Sequence, residues 1–206
     1  MRVHATHGSS LITRPTGEWT LLTLSVVYLT EETNRIPANC AYTSVSHPTG
    51  LTHAPVIAES SPRPYRLLNS GMVVLTPSSG LFSAIKHYLA TSPLVSTFSF
   101  PDQDLLANFF ERRWKPLPWC YNALKTLREI HKPLWRDEEI RCLHYILSDK
   151  PWYGRVPGSE YEEIDGWWWA RFEKLREDMQ GSEPEAWSVV ISNVTESKSP
   201  GSIRHT

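Results

Sequence analysis

Leu68-Asn69-Ser70-Gly71-Met72-Val73-Val74-Leu75-Thr76-Pro77-Ser78, residues 68–78, is the stretch on which the fold reading turns. Its apolar run Met72–Leu75 is short and β-prone, follows the Ser70-Gly71 turn pair, and is ended by Pro77, which reads as a buried strand. Ser78 and Ser79 then offer an N-cap, because a serine oxygen can accept from the unpaired amide donors of a helix's first turn. The helix predicted over 81–90 places Leu81, Phe82, Ile85 and Leu89 on one face.

Toward the C-terminus, Phe98-Ser99-Phe100-Pro101-Asp102-Gln103-Asp104 precedes a second predicted helix carrying Leu105, Leu106, Phe109 and Phe110. Asp102 is its expected N-cap, and Arg112 and Arg113 close it with the charge that suits the helix dipole. Residues 114–136 are aromatic and proline-bearing, with Leu124–Ile130 predicted as one or two helical turns. Ile140–Ile146 alternates as a strand would and is broken by Lys150-Pro151-Trp152. An amphipathic helix is predicted over Trp167–Met179, with Trp168, Phe172 and Leu175 near one face. After Gly181 the chain is rich in Ser, Glu and Pro, so a mostly disordered tail is expected.

Toward the N-terminus the character changes. Residues 1–64 are rich in Thr, Ser, Pro and His, and Pro37, Pro48, Pro55, Pro62 and Pro64 preclude long helices. The apolar stretch Trp19–Thr30 is interrupted by threonines and falls well short of the roughly 20 residues of a membrane span. Pro15 and Glu18 before it make a poor signal peptide, so it reads as a strand or buried segment.

The whole chain has 206 residues and a mass of 23.6 kDa, enough for one domain or a little more. A net charge of −1 argues against a nucleic-acid binder that relies on a basic field. Cys40, Cys120 and Cys142 are sparse and lack a CxxC pair, which argues against a disulfide scaffold or zinc ribbon and fits a reducing, cytoplasmic compartment. No aspartate precedes Asp102, so no aspartate ligand or base can come from the first 101 residues.

Four ordered segments then form a pattern: 68–78 (LNSGMVVLTPS), 100–110 (FPDQDLLANFF), 116–122 (PLPWCYN) and 143–152 (LHYILSDKPW), with Trp167-Trp168 following. Together, from Ala54 to Phe172, they resemble glycosyltransferase family 8, the glycogenin and galactinol-synthase-like enzymes. The resemblance implies an α/β fold of the GT-A type. It also implies transfer of a hexose from a nucleotide-diphosphate sugar, a UDP-sugar, to an acceptor, with retention of anomeric configuration. A divalent ion, Mn²⁺, would bridge the diphosphate, and a metal and a lysine would neutralise the charge that develops on the leaving group.

Each residue has a plain reading beside the implied one. His144 alone would be a structural histidine at a strand end; the resemblance makes it a metal ligand. Lys150 alone would be a solvated turn lysine; the resemblance makes it a diphosphate clamp. Asp102 and Gln103 match the family's pair at the reacting sugar, while Asp102 could equally be only a helix cap. Asn69, Ser70 and Gly71 match the loop that approaches the donor sugar, where glycine permits close backbone approach, or else form only a strand-entry turn. Asp104 is ambiguous, and Trp152, Trp167 and Trp168 read as packing residues.

The chain departs from the family pattern upstream. The family's remaining metal ligands form an Asp-x-Asp motif after a strand that precedes the Asn-Ser-Gly loop. The nearest counterpart here is Val26-Val27-Tyr28-Leu29-Thr30-Glu31-Glu32-Thr33, whose adjacent glutamates lack the one-residue spacing. Only 68 residues precede Asn69, and at roughly 30 residues per βαβ unit two units at most would fit. The expectation is therefore a partial GT-A fold with an incomplete Rossmann-like N-terminal half, from a truncated or mis-spliced chain. Its parts would be an atypical segment 1–53, a family-8-like region 54–180 and a disordered tail 181–206. Two functions follow: a Mn²⁺-dependent hexosyltransferase, or a catalytically inactive remnant or binding module with no competent metal site.

Overall fold

The structure is a computed structural model that describes Leu21–Ser25, Ala38 and residues 40–195. The stretch Val26–Thr33, the nearest counterpart of the Asp-x-Asp motif, lies outside the described residues. Five short strands and five helices are described: β1 (Leu21–Ser25), β2 (Leu68–Val74), α1 (Ser79–Thr91), α2 (Pro101–Phe109), β3 (Trp114–Pro116), β4 (Ala123–Leu124), α3 (Leu127–Ile130), β5 (Leu143–His144), α4 (Glu162–Met179) and α5 (Pro184–Ser192). Single 3-10 turns link them, as proline-rich connections allow. The chain is thus mixed α/β.

Two small sheets organise it. In the first the order is β2-β1-β3, with β1 antiparallel to β2 and parallel to β3. In the second, β4 and β5 run parallel, pairing Ala123 with Leu143 and Leu124 with His144. The strand expected over Ile140–Ile146 is therefore only two residues long. Its flanks turn away because Ile146 is buried in a core rather than laid along a partner strand.

A strand and a helix are both present at residues 68–91, but the run Met72–Leu75 is not buried, Val74 being exposed, and of the expected helix face Leu81 is buried while Phe82 and Leu89 are exposed. Ser78 caps α1, its side chain accepting from the Leu81 amide at 3.1 Å. Leu81 packs with Leu68 and Phe110, which puts α1 and α2 on β2. A larger core gathers Tyr42, Trp119, Leu124, Leu127, Leu134 and Ile164. Trp119 and Trp135 lie 5.2 Å apart within it, and the Tyr42 hydroxyl donates to the Leu117 carbonyl at 2.6 Å.

Two expectations need correcting. The buried side of α4 is Ile164, Trp169 and Phe172, while Leu175 is exposed and Trp152, Trp167 and Trp168 are half-buried. The segment after Gly181 is not disordered throughout, because Pro184–Ser192 forms α5. Pro184 stands in the first turn, where its missing N–H costs nothing, and Trp187 packs on Phe172 at 5.4 Å. Trp187, with Val190 and Ile191 beside it, supplies the burial that seats α5 on α4. No helix among the described residues is long and apolar enough to cross a membrane.

Candidate functional site

The Asn-Ser-Gly stretch owes its shape to a break in register. Thr23 of β1 pairs with Val73, but the next residue, Leu24, pairs with Asn69. Ser70, Gly71 and Met72 therefore have no partner on β1 and bulge out of the ladder. Bulges of this kind re-aim side chains and recur beside active sites.

Asn69 anchors the bulge. It is buried, and its Oδ1 accepts from the Gly71 amide at 2.9 Å and from Nδ2 of Asn122 at 2.9 Å. Asn122 is itself fully buried, at the end of the PLPWCYN segment and immediately before β4. That contact ties the first sheet to the turn that leads into the second.

Ser70 reaches the other way. Its hydroxyl donates to Oδ2 of Asp102 at 2.6 Å, and its amide faces Oε1 of Gln103 at 3.4 Å. Asp102 is thus not the N-cap of α2, contrary to expectation. Pro101 is the first helical residue, and Phe100 holds the cap position without a side-chain bond. Oδ2 of Asp104, one turn in, instead takes the Ser99 and Phe100 amides at 2.8 and 2.9 Å, in the manner of a capping box. Asp104 does the local structural work, which leaves Asp102 exposed and oriented by Ser70.

His144 closes the cluster from β5. A Cβ built on Gly71 would lie 2.3 Å from Cε1 and 2.4 Å from Nδ1 of the imidazole. Glycine is needed at 71 because the histidine ring occupies that space. Burial, and then the charge of Lys150, hold the imidazole below its ordinary range, which favours the neutral ring. Its Nδ1 is buried with no hydrogen-bond partner among the described residues.

Lys150 is half-buried and donates to the Tyr145 carbonyl, with its ammonium 5.8 Å from the centre of the Trp152 ring. Burial lowers its proton affinity from the ordinary lysine value. Trp152 is wedged between Tyr145, at 6.3 Å, and Trp168, at 6.0 Å, and its carbonyl accepts from the Thr195 amide at 2.9 Å. The helical pair α4–α5 therefore braces the Lys-Pro-Trp turn.

Asn69, Ser70, Gly71, Asp102, Gln103 and His144 converge in one network, and Lys150 follows His144 on the same loop. Asn122 belongs to that network and was not singled out from sequence. Its signal was a lone amide set between aromatic Trp119–Tyr121 and apolar Ala123-Leu124. The arrangement gathers a carboxylate, amide side chains and a bulged backbone into one hydrogen-bonded cluster.

A metal fits the described residues poorly. No group of three His, Cys, Asp or Glu side chains among them could hold an ion. The buried Nδ1 of His144 is one donor, and Asp102 is tied to Ser70. A divalent ion on a single imidazole is weakly held.

Comparison with known proteins gives the family. The sequence pattern described as Glycosyl transferase family 8 matches residues 27–155. Galactinol synthase 4 of Arabidopsis thaliana is 31% identical over 115 residues, 52% of this chain and 34% of its own length. Galactinol synthase 1 of Solanum lycopersicum is 27% identical over 145 residues, covering 70% and 41%. Galactinol synthase 7 of Arabidopsis thaliana is 28% identical over 154 residues, covering 69% and 45%. The chain thus spans less than half the length of these curated relatives. No solved structure matches it. With more than half of its residues matched, and with the matched segments meeting in one network, the chain belongs to glycosyl transferase family 8, which implies a GT-A-like nucleotide-sugar transferase fold.

Proposed function

We propose that the network around Asn69, Asp102 and His144 holds the sugar of a nucleotide-diphosphate donor, and that the chain moves that hexose to an acceptor. The observation that carries this reading is the 2.6 Å bond from Ser70 to Asp102. It orients a carboxylate that its own helix does not use, beside Gln103 and the Asn69 bulge. In this reading Asp102 and Gln103 face the reacting sugar. Asn69, Ser70 and Gly71 shape the pocket wall. Lys150 leaves the Tyr145 carbonyl to neutralise the diphosphate, which stabilises the charge of the departing nucleotide. UDP as the nucleotide, retention of configuration and a cytoplasmic location complete the reading by analogy with the family.

A second reading rests on the metal test. Because no group of three ligating side chains among the described residues could hold an ion, the alternative is a chain that retains the sugar-facing part of a partial GT-A fold without catalysis. Incubation with radiolabelled UDP-glucose and UDP-galactose, with and without Mn²⁺, separates the two. Release or transfer of labelled hexose that is abolished in Asp102→Asn supports the enzyme. Stoichiometric donor binding with no turnover supports the remnant.

A further inference from the structure

We propose that Lys125 is the positioning residue of the loop from His144 to Lys150. The proposal rests on the reading of that loop as the diphosphate-facing part of the site.

Lys125 follows β4 directly, and its side chain is fully buried. Its backbone amide donates to the His144 carbonyl at 3.1 Å. Its ammonium donates to the Asp149 carbonyl at 2.5 Å. One residue therefore grips the first and the penultimate residue of the loop. The second contact has a specific consequence. The Asp149 carbonyl lies in the same rigid peptide plane as the Lys150 nitrogen. Fixing that oxygen fixes the plane from which Lys150 departs, and so the direction of the side chain meant for the diphosphate.

The third contact ties the loop to the helices. The Lys125 ammonium lies 4.4 Å from the centre of the Tyr161 ring, and Tyr161 is the residue that caps α4. The loop in between needs such a hold. Leu147 sits at φ 71, a left-handed conformation that costs a branched side chain roughly 1–2 kcal/mol. Strain of this kind persists only where the surroundings over-determine the backbone.

A buried ammonium is an expensive way to fill a core, since an apolar side chain of similar volume often packs equally well. Lysine here delivers a long-reach donor to the Asp149 carbonyl. Holding a binding loop in its bound shape raises affinity by removing the cost of ordering it.

The test uses the full chain with Lys125→Met and Lys125→Arg, read by UDP calorimetry and by hydrogen exchange of residues 145–153. The expected result for Lys125→Met is UDP binding weakened about tenfold, the scale of one lost charge-assisted hydrogen bond. Exchange in 145–153 should also rise while that in α1 and α2 stays unchanged, and Lys125→Arg should recover most of both. Should Lys125→Met fail to unfold cooperatively, Lys125→Gln replaces it. Unchanged loop exchange in the folded variant overturns the proposal, as does unchanged UDP affinity where Lys150→Ala lowers it. If Lys150→Ala and His144→Ala both leave UDP binding intact, the donor-site reading fails, and the exchange measurement still decides whether Lys125 holds the loop.

Discussion

Gly71→Ala is the sharpest structural test of the site, because most of its cost should depend on His144. The added Cβ would meet Cε1 and Nδ1 of His144 at 2.3 and 2.4 Å and Oδ1 of Asn69 at 2.9 Å. Ordinary contact begins near 3.4 Å, so the imidazole must retreat by about 1 Å. Overpacking of this kind costs roughly 1–3 kcal/mol. Against it stands the gain of about 0.5–1 kcal/mol from replacing glycine inside a strand. In a His144→Ala background the ring is gone and only the 2.9 Å approach to Oδ1 of Asn69 remains, so most of the cost should disappear. A double-mutant cycle by urea unfolding should therefore return a coupling of about 1–3 kcal/mol, with the double variant more stable than additivity allows. Additivity within about 0.5 kcal/mol would refute the claim that His144 occupies the space a side chain at 71 would need.

Other outcomes follow from the same contacts. Asn122→Ala should destabilise by about 1–3 kcal/mol in urea unfolding, because it strips a buried partner from Asn69. Trp187→Ala should cost about 3–5 kcal/mol and raise hydrogen exchange across α5, since Trp187 is what seats that helix on Phe172. His131 and His144 are both held below the ordinary value of 6.5 by burial, so below that pH the unfolded chain binds more protons than the folded one. Stability should then be full above pH 6.5 and fall as the pH drops toward the depressed folded values, with a shallower fall in His131→Gln by urea midpoints. Burial pushes the Cys40 thiol up to about 12, so it should resist iodoacetamide at pH 8 until the protein is unfolded, as followed by mass spectrometry.

Local signals carried part of this structure into the sequence. The β-prone run at Met72–Leu75 and the serine at 78 marked β2 and α1 because strand preference and capping act between near neighbours. The same logic misassigned Asp102, where Pro101 moved the helix start and Asp104 took over the amides. The bulge at Ser70–Met72 was illegible because register depends on β1, far upstream. So was the contact of His144 with Gly71, which joins two sheets. Lys125 gave no sign at all, since lysines are almost always solvated and only the fold shows this one fully buried. Helix α5 was missed because the Ser, Glu and Pro around it outweighed the apolar run Ala186–Ile191, whose Trp187, Val190 and Ile191 pack in one cluster with Trp169 and Phe172.

The account stands on a donor site built from Asn69, Asp102, His144 and Lys150. Isothermal calorimetry with a UDP-hexose, with and without Mn²⁺, addresses it most directly. The predicted result is saturable heat from the native chain that is lost in Asp102→Asn and Lys150→Ala while both variants keep native unfolding transitions. No heat at millimolar ligand from folded protein, or equal binding by those variants, would contradict it.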